Sequence, residues 1–367
     1  MKFKKFLILL VIPFLLTGCD FNFELYNPDS WQNSNPDSES SGPINVIMPS
    51  NFQGTFNYAP QSQTLLKKEE VYAKGVQSTV YITGVVEDGM VLGSGVVASE
   101  DSNYAYIFTN AHVVENMTSI EVTYSNYKKS KASLVGYNTL EDVAVIKVEN
   151  NTNYKIATLQ TSDKLSVAME VLAIGTPAEI KYNFTATSGI ISRIDSAFSM
   201  QGNNAYESLY IQTDTSLNNG NSGGPLFDMY GNLIGLNSIK LLYTPTLDPV
   251  DDINFSIPME RAVFMANSFF NNKPYTRGKL GISILDISEI TLASKEYYNI
   301  TLDYGLYISE SSNSLFLPGD IITKINGIEF KTKIQFQKEL YNQYKNTPIE
   351  FTVYRNGQYK TFNATLQ

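Results

Sequence analysis

Gly220-Asn221-Ser222-Gly223-Gly224-Pro225-Leu226 sets a serine in a glycine-rich turn just ahead of a segment with strand character. A serine hydroxyl is a weak nucleophile until a neighbouring base takes its proton, and neutral imidazole suits that task near neutral pH. The chain holds one His, His112, in Thr109-Asn110-Ala111-His112-Val113-Val114 at the end of a strand-like run. Such an imidazole needs an acceptor on its other nitrogen to fix the tautomer and to stabilise the imidazolium. Asp142, in Glu141-Asp142-Val143-Ala144-Val145-Ile146, offers that carboxylate at the start of another strand. The glycines beside Ser222 let the N–H groups of Gly220 and Ser222 converge where a tetrahedral oxyanion would sit. Taken singly, a lone His is more often structural, Asp142 a turn acid and Ser222 a turn residue. Their joint presence in the order His, Asp, Ser, an order known among serine nucleophile triads, outweighs those readings.

Outward from these three segments the pattern is one of short β-branched and aromatic runs broken by Gly, Asn and Asp. Val80–Val86, Gly95–Ala98, Tyr104–Thr109, Ala144–Val148, Glu170–Ile174, Gly189–Ser192 and Leu233–Leu236 read as strands. Their regular spacing predicts β-barrels, with a helix only near Pro258–Phe270, where Pro258 suits a first turn.

The three segments, with Gln212-Thr213-Asp214 ahead of the serine turn, resemble the HtrA/Deg family of trypsin-like serine proteases. Gly93-Ser94-Gly95-Val96, Ala173-Ile174-Gly175-Thr176-Pro177, Thr187–Ser192 and Ile253–Pro258 fall in the family's order, so the likeness runs from about Val71 onward. The resemblance implies a mainly β protein with a chymotrypsin/trypsin-like double β-barrel and its site in the cleft between barrels. It also implies cleavage of unfolded or damaged exported proteins, and a homotrimer. In trypsin-like folds the residue six before the nucleophile lies at the base of the pocket for the substrate's P1 side chain. Here that is Ser216, uncharged, with Asn237 and Ser238 of Gly235–Ile239 expected in a pocket wall. This points to small aliphatic P1 residues rather than Lys or Arg.

Asn271-Asn272-Lys273-Pro274 marks a boundary, giving a protease domain over 65–272 and a second domain over 273–367. Arg277–Ile282, Gly305–Ile308 and Pro318–Gly327 resemble a PDZ domain of the bacterial protease type, followed by strands at Pro348–Tyr354 and Tyr359–Phe362. Asn326-Gly327 is a hairpin signal. The resemblance implies capture of C-terminal peptides by strand addition, with the carboxylate at a loop formed by Lys279, Leu280, Gly281 and Ile282. Glu310–Leu317 is shorter and more polar than the Ala-rich helix usual there.

The beginning of the chain carries a different signal. Lys2, Lys4 and Lys5 precede an apolar stretch, Phe6–Leu16, too short to cross a bilayer and typical of a signal peptide over residues 1–18. Leu16-Thr17-Gly18-Cys19 resembles the lipobox of bacterial lipoproteins, which implies lipidation of Cys19 and a membrane anchor on the extracytoplasmic face. Residues 19–64, rich in Asn, Ser, Pro, Asp and Gln, read as a flexible tether with Trp31, Phe52, Phe56 and Tyr58 as candidate docking residues.

Composition narrows the alternatives. The 367 residues carry a net charge of −9 and no basic cluster beyond the first residues, which argues against nucleic acid as a partner. One Cys excludes a disulfide framework or Cys-rich metal site, and one His excludes zinc sites built on two or more histidines. No Gly-rich phosphate loop is present, so no nucleotide is implied, and the reading calls for no metal or other cofactor. The reading is an ATP-independent serine endopeptidase acting on unfolded proteins or peptides. The alternative is a latent protease serving mainly as a PDZ-containing chaperone or peptide sensor.

Overall fold

The structure is a computed structural model that describes residues 54–367 except 88, 177–180, 182, 199–207, 219, 241–250 and 342. Cys19, the signal-peptide and lipobox residues, Trp31 and Phe52 lie outside the described residues.

Two closed barrels and a further sheet follow one another along the chain. In the first, β2 (Thr79–Val86), β3 (Gly89–Glu100), β4 (Tyr104–Thr109), β5 (Ser119–Tyr124), β6 (Lys129–Asn138) and β7 (Val143–Glu149) pair antiparallel in the ring β3-β2-β5-β6-β7-β4, closed by β3 on β4. The short β1 (Thr55–Phe56) adds to the outside of β3. The second barrel closes β8 (Glu170–Gly175), β9 (Thr185–Phe198), β10 (Ser208–Thr213), β13 (Asn254–Pro258), β12 (Leu233–Lys240) and β11 (Pro225–Asp228).

The strands that face the partner barrel bury both faces, which is why they read as continuous apolar runs rather than alternating ones. Successive side chains point to opposite faces of a strand. Val97, Ile107, Ala144 and Ile146 fill the first barrel, while Val96, Tyr106, Phe108, Val143 and Val145 join a core shared with Leu172, Ile174, Phe227 and Leu236 of the second. Each such Val, Ile or Phe contributes about 1.5–3 kcal/mol on burial, so the inter-barrel face is itself a hydrophobic core. Val171, Ala173, Ile191, Ile211, Leu226 and Ile234 fill the second barrel.

Two helices brace this pair. The first, α1 (Lys68–Gly75), lies where the sequence reading expects only strands, and packs Val71 into the shared core. Its charged, weakly amphipathic sequence hides it from a periodicity argument. The expected helix forms as α3 (Met259–Phe270), with Pro258 as its N-cap at φ −58°. The very short α2 (Ala111–Val114) carries His112 just after β4.

Residues 54–66 are bound to the body, where the sequence reading places them in a free tether up to residue 64. Phe56 meets Phe108 edge-on at 5.9 Å, Tyr58 bridges to Leu159, and the Gln63 and Asn232 amides exchange two hydrogen bonds. Paired backbone and apolar contacts offset the ordering entropy that composition alone suggested would win.

The C-terminal sheet has the order β14-β15-β16-β18-β19, from β14 (Ile282–Asp286), β15 (Leu306–Ser311), β16 (Ile321–Ile325), β18 (Pro348–Arg355) and β19 (Gln358–Thr365), with β17 (Ile328–Glu329) paired to β16. Asn326 and Gly327 take φ +48° and +77° in the β16–β17 turn, the left-handed pair that an Asn-Gly hairpin demands. Helices α4 (Leu292–Tyr297) and α5 (Lys333–Tyr341) complete this part of the fold, Phe336 of α5 reaching its core beside Phe330. Glu310 and Ser311 end β15, and no helix replaces the missing Ala-rich one before β16.

Candidate active site

His112 and Asp142 meet because β4 and β7 are neighbours in the first barrel, with Thr109 opposite Ala144. Asp142 sits in the turn before β7 with φ +51°, a left-handed conformation that Asp tolerates better than most residues. Its buried carboxylate accepts from three directions. Oδ1 lies 2.8 Å from His112 Nδ1 and also receives the His112 backbone N–H at 3.2 Å, while Oδ2 receives the Ser238 hydroxyl at 2.6 Å. Asn110 Nδ2 donates to the Asp142 carbonyl at 2.9 Å, tying the residue to the start of α2. The His112 side chain is 43% exposed, so its far edge faces outward from this anchored one.

Burial alone would push the His112 imidazole down. The charge of Asp142 and the hydrogen bond to it outweigh that, with Glu115 adding, and hold it above its ordinary value. A base must be neutral to accept a proton, so kcat/KM is expected to rise with pH along a limb lying above the usual imidazole range near 6.5. A profile between about pH 5 and pH 9 checks this, and a limb below 6.5 would contradict it. The same raised value stabilises the fold below the unfolded imidazole's pKa and loses that contribution as pH climbs through the folded one.

Ser222 arrives from the second barrel, in the turn leading into β11. Ser94 N–H donates to its carbonyl at 2.9 Å. Gly223 follows with φ +77°, and a Cβ there would lie 2.1 Å from Thr109 Oγ1 and 2.4 Å from Ser94 O. Only glycine lets the nucleophile turn approach the His112 segment this closely. Gly220 also takes a positive φ, +100°. Among the described residues no hydrogen bond joins Ser222 Oγ to His112. Asn219, whose peptide precedes Gly220, lies outside the described residues.

The expected pocket residues divide. Ser216 is exposed, and its carbonyl accepts from Thr187 Oγ1 at 3.0 Å. The polar side chains of Asn237 and Ser238, the residues expected in a pocket wall, are both held by partners within the fold. The Asn237 amide is fully buried, donating to Pro225 O at 3.0 Å and accepting from Ser256 Oγ at 2.9 Å, so it braces β12 within the barrel. The Ser238 hydroxyl holds Asp142. Adjacent strand residues point to opposite faces, which the spacing implied, but the partner waiting on each face is a tertiary fact.

In the C-terminal sheet, Gly281 has φ +69°, its carbonyl accepting from Ser312 N, while Leu280 O accepts from Asn313 Nδ2. Lys279 N–H is already bonded to Gln367 O at 2.8 Å, so of the four loop residues its amide is unavailable to a ligand. Ile282 and Ile284 of β14 and Leu340 of α5 are partly buried over the same core, an apolar strip along the edge strand.

One constellation was not foreseen. Glu141, next to Asp142, is buried with its Oε1 2.7 Å from Arg261 Nη2 and 2.9 Å from Arg277 Nη2. Its Oε2 receives Arg261 Nε at 3.1 Å, Tyr341 Oη at 3.2 Å and Ser208 Oγ at 3.3 Å. Tyr341 ends α5, and burial pushes its phenol up to about 12, keeping it a neutral donor. The Arg261 guanidinium stacks 4.0 Å from the Tyr341 ring, and Lys338 pairs with Asp195 at 2.6 Å. The sequence offered only an acidic residue beside a candidate catalytic one. Among the described residues no group of three or more His, Cys, Asp and Glu is placed to hold a metal ion.

Residues 93–236 match the trypsin-like peptidase domain family and residues 278–366 the PDZ domain family. The chain is 32% identical over 287 residues to Serine protease Do-like HtrB of Bacillus subtilis, covering 74% of this chain and 61% of that protein. It is 30% identical over 295 residues to Serine protease Do-like HtrA of Lactococcus lactis subsp. cremoris, covering 76% and 72%. Among solved structures, the HtrA-type protease AlgW with a tripeptide superposes with a TM-score of 0.66 at 26% identity, covering 82% of this chain and 96% of that one.

Proposed function

Because the chain belongs to the Do-like HtrA family of serine proteases, with a trypsin-like peptidase domain and one PDZ domain, we propose that it is an ATP-independent serine endopeptidase degrading misfolded or damaged exported proteins at the cell envelope. The single observation that carries this reading is the His112–Asp142–Ser238 chain of hydrogen bonds, set beside a serine turn that only glycines could bring so near. In this reading Ser222 attacks the scissile carbonyl and His112 Nε2 takes its proton. His112 then protonates the leaving amine, and water repeats the cycle on the acyl-enzyme. Asp142 keeps Nδ1 protonated and aimed, and the amides of Gly220 and Ser222 receive the oxyanion. Digestion of unfolded casein by the purified chain and by Ser222→Ala tests it.

P1 selection follows from Ser216. An uncharged, exposed residue at that place gives no ion pair for a basic side chain. Peptides differing only at P1 are expected to favour Val or Ala over Lys and Arg by about tenfold or more, and a Lys or Arg optimum would overturn the assignment.

The remaining partners are part of the same proposal. A C-terminal peptide would add to the edge of β14, against Ile282, Ile284 and Leu340, with its carboxylate at Leu280, Gly281 and Ile282. Lipidated Cys19 would hold the protein on the extracytoplasmic face of the membrane, and the family likeness supports a homotrimer. A second reading, a latent protease that mainly binds unfolded chains, is favoured by the missing Ser222–His112 hydrogen bond. Casein kept soluble but uncut would select it.

A further inference from the structure

Ser94 lies in β3, on the first barrel, and is fully buried. Every polar group it carries is committed to the place where the two barrels and the nucleophile turn meet. Its hydroxyl donates to Gly220 O at 2.7 Å and accepts from Thr176 N–H, just beyond β8, at 3.0 Å. Its backbone N–H donates to Ser222 O, and its carbonyl accepts from Thr109 Oγ1 at 2.7 Å. A hydroxyl has one proton to donate, so the Gly220 bond uses all of it.

The position of that bond matters more than its strength. Gly220 O and Asn221 N–H belong to the single peptide unit between the two candidate oxyanion donors, Gly220 N–H and Ser222 N–H. Asn221 N–H is itself bonded to Asn218 O at 2.9 Å, so the unit is pinned at both ends. Its rotation would turn the two donors away from a common point, and a glycine at φ +100° opposes such rotation weakly. Away from water the Ser94 bond is strong, and its loss would leave two backbone groups unpaired.

We infer that the Ser94 hydroxyl is a positioning residue for the oxyanion site, holding the Gly220–Asn221 peptide so that the amides on either side of it converge on the tetrahedral intermediate. This inference rests on the serine protease reading above. Ser94 touches no substrate and acts through the turn. Its removal therefore lowers the rate of the chemical step and leaves ground-state binding alone.

The test compares the full chain with Ser94→Ala and Ser99→Ala on a fluorogenic peptide. Ser99 is the matched control: it lies in the same strand, is equally buried, and donates its hydroxyl to Thr55 O at 2.9 Å, on β1 rather than at the site. Expected for Ser94→Ala is a kcat about 30-fold lower, somewhat less than removing an oxyanion donor outright, with KM within about twofold. A peptide boronate, whose tetrahedral anion occupies the oxyanion position, should bind Ser94→Ala more weakly by the same factor. Ser99→Ala should retain kcat. Should Ser94→Ala not fold, Ser94→Cys keeps the shape with a weaker donor, and a kcat about fivefold or more below wild type is expected. Wild-type kcat in the folded Ser94 variant, a loss confined to KM, or an equal loss in Ser99→Ala would overturn the inference. A wild-type chain that neither cuts the peptide nor reacts with a fluorophosphonate would sink the protease reading and this inference together. An active wild type with an equally fast Ser94→Ala would sink this inference alone.

Discussion

Ser222→Ala is expected to lower the rate of casein digestion by about 10⁴-fold or more, the loss typical of removing the nucleophile from a triad. The substitution deletes one hydroxyl from a partly exposed position and disturbs nothing that holds the site together. The Ser222 carbonyl still accepts from Ser94, and His112 and Asp142 remain joined at 2.8 Å. Folding should therefore be unchanged, and thermal melts of the two proteins should coincide. Any residual cleavage would come from binding and oxyanion stabilisation alone. Equal digestion by both proteins would place the chemistry elsewhere. Absence of digestion by both, with aggregation suppressed, would mean that Ser222 is not activated as the chain stands.

The second large effect is on stability. Glu141→Ala should cost about 3–5 kcal/mol, because it strips the counter-charge from the buried guanidinium of Arg261 and from the half-buried one of Arg277. Arg261 is 1% exposed, and its side chain and that of Arg277 converge on one carboxylate oxygen of Glu141. Without that carboxylate the buried Arg261 guanidinium loses its counter-charge while facing the half-buried Arg277, and Tyr341 and Ser208 lose an acceptor. For a body of this size the melting temperature should fall by about 10 °C. Glu141→Gln, keeping shape and an acceptor oxygen but no charge, should fall between. A melt within about 2 °C of wild type would show that the cluster contributes little.

Acid should reproduce part of this loss. Burial alone would push the Glu141 carboxyl up, but Arg261 and Arg277 hold it below its ordinary value, with hydrogen bonds from Arg261 and Tyr341 adding to the effect. A depressed folded value means that the stabilisation is complete above the unfolded carboxyl's pKa, near 4.3, and is lost as pH falls through the folded one. The stability gap between wild type and Glu141→Gln should accordingly be full at neutral pH and close only in strong acid.

How much of this was written in the linear chain differs from residue to residue. His112, Asp142 and Ser222 could be named because catalysis demands those side-chain types, and because a glycine-rich turn and strand-end positions are local patterns. The barrel strands were legible for a similar reason, since strand-forming runs and the turns between them are properties of a few consecutive residues. The helix at Met259–Phe270 announced itself through Pro258, whereas the charged Lys68–Gly75 did not. Ser238, expected in a pocket wall, also anchors Asp142, 96 positions away, a contact that no local pattern announces. Glu141 drew no reading of its own beside Asp142, because its partners Arg261 and Tyr341 lie 120 and 200 positions away. The hydroxyl of Ser94 meets Gly220 across 126 positions. The linear chain therefore carried the residue types of the candidate site and the local conformations, both set by residue type and short-range periodicity. Which buried polar groups satisfy one another was set by the packing of the folded chain, because a donor removed from water must find an acceptor and distant segments alone bring one within 3 Å.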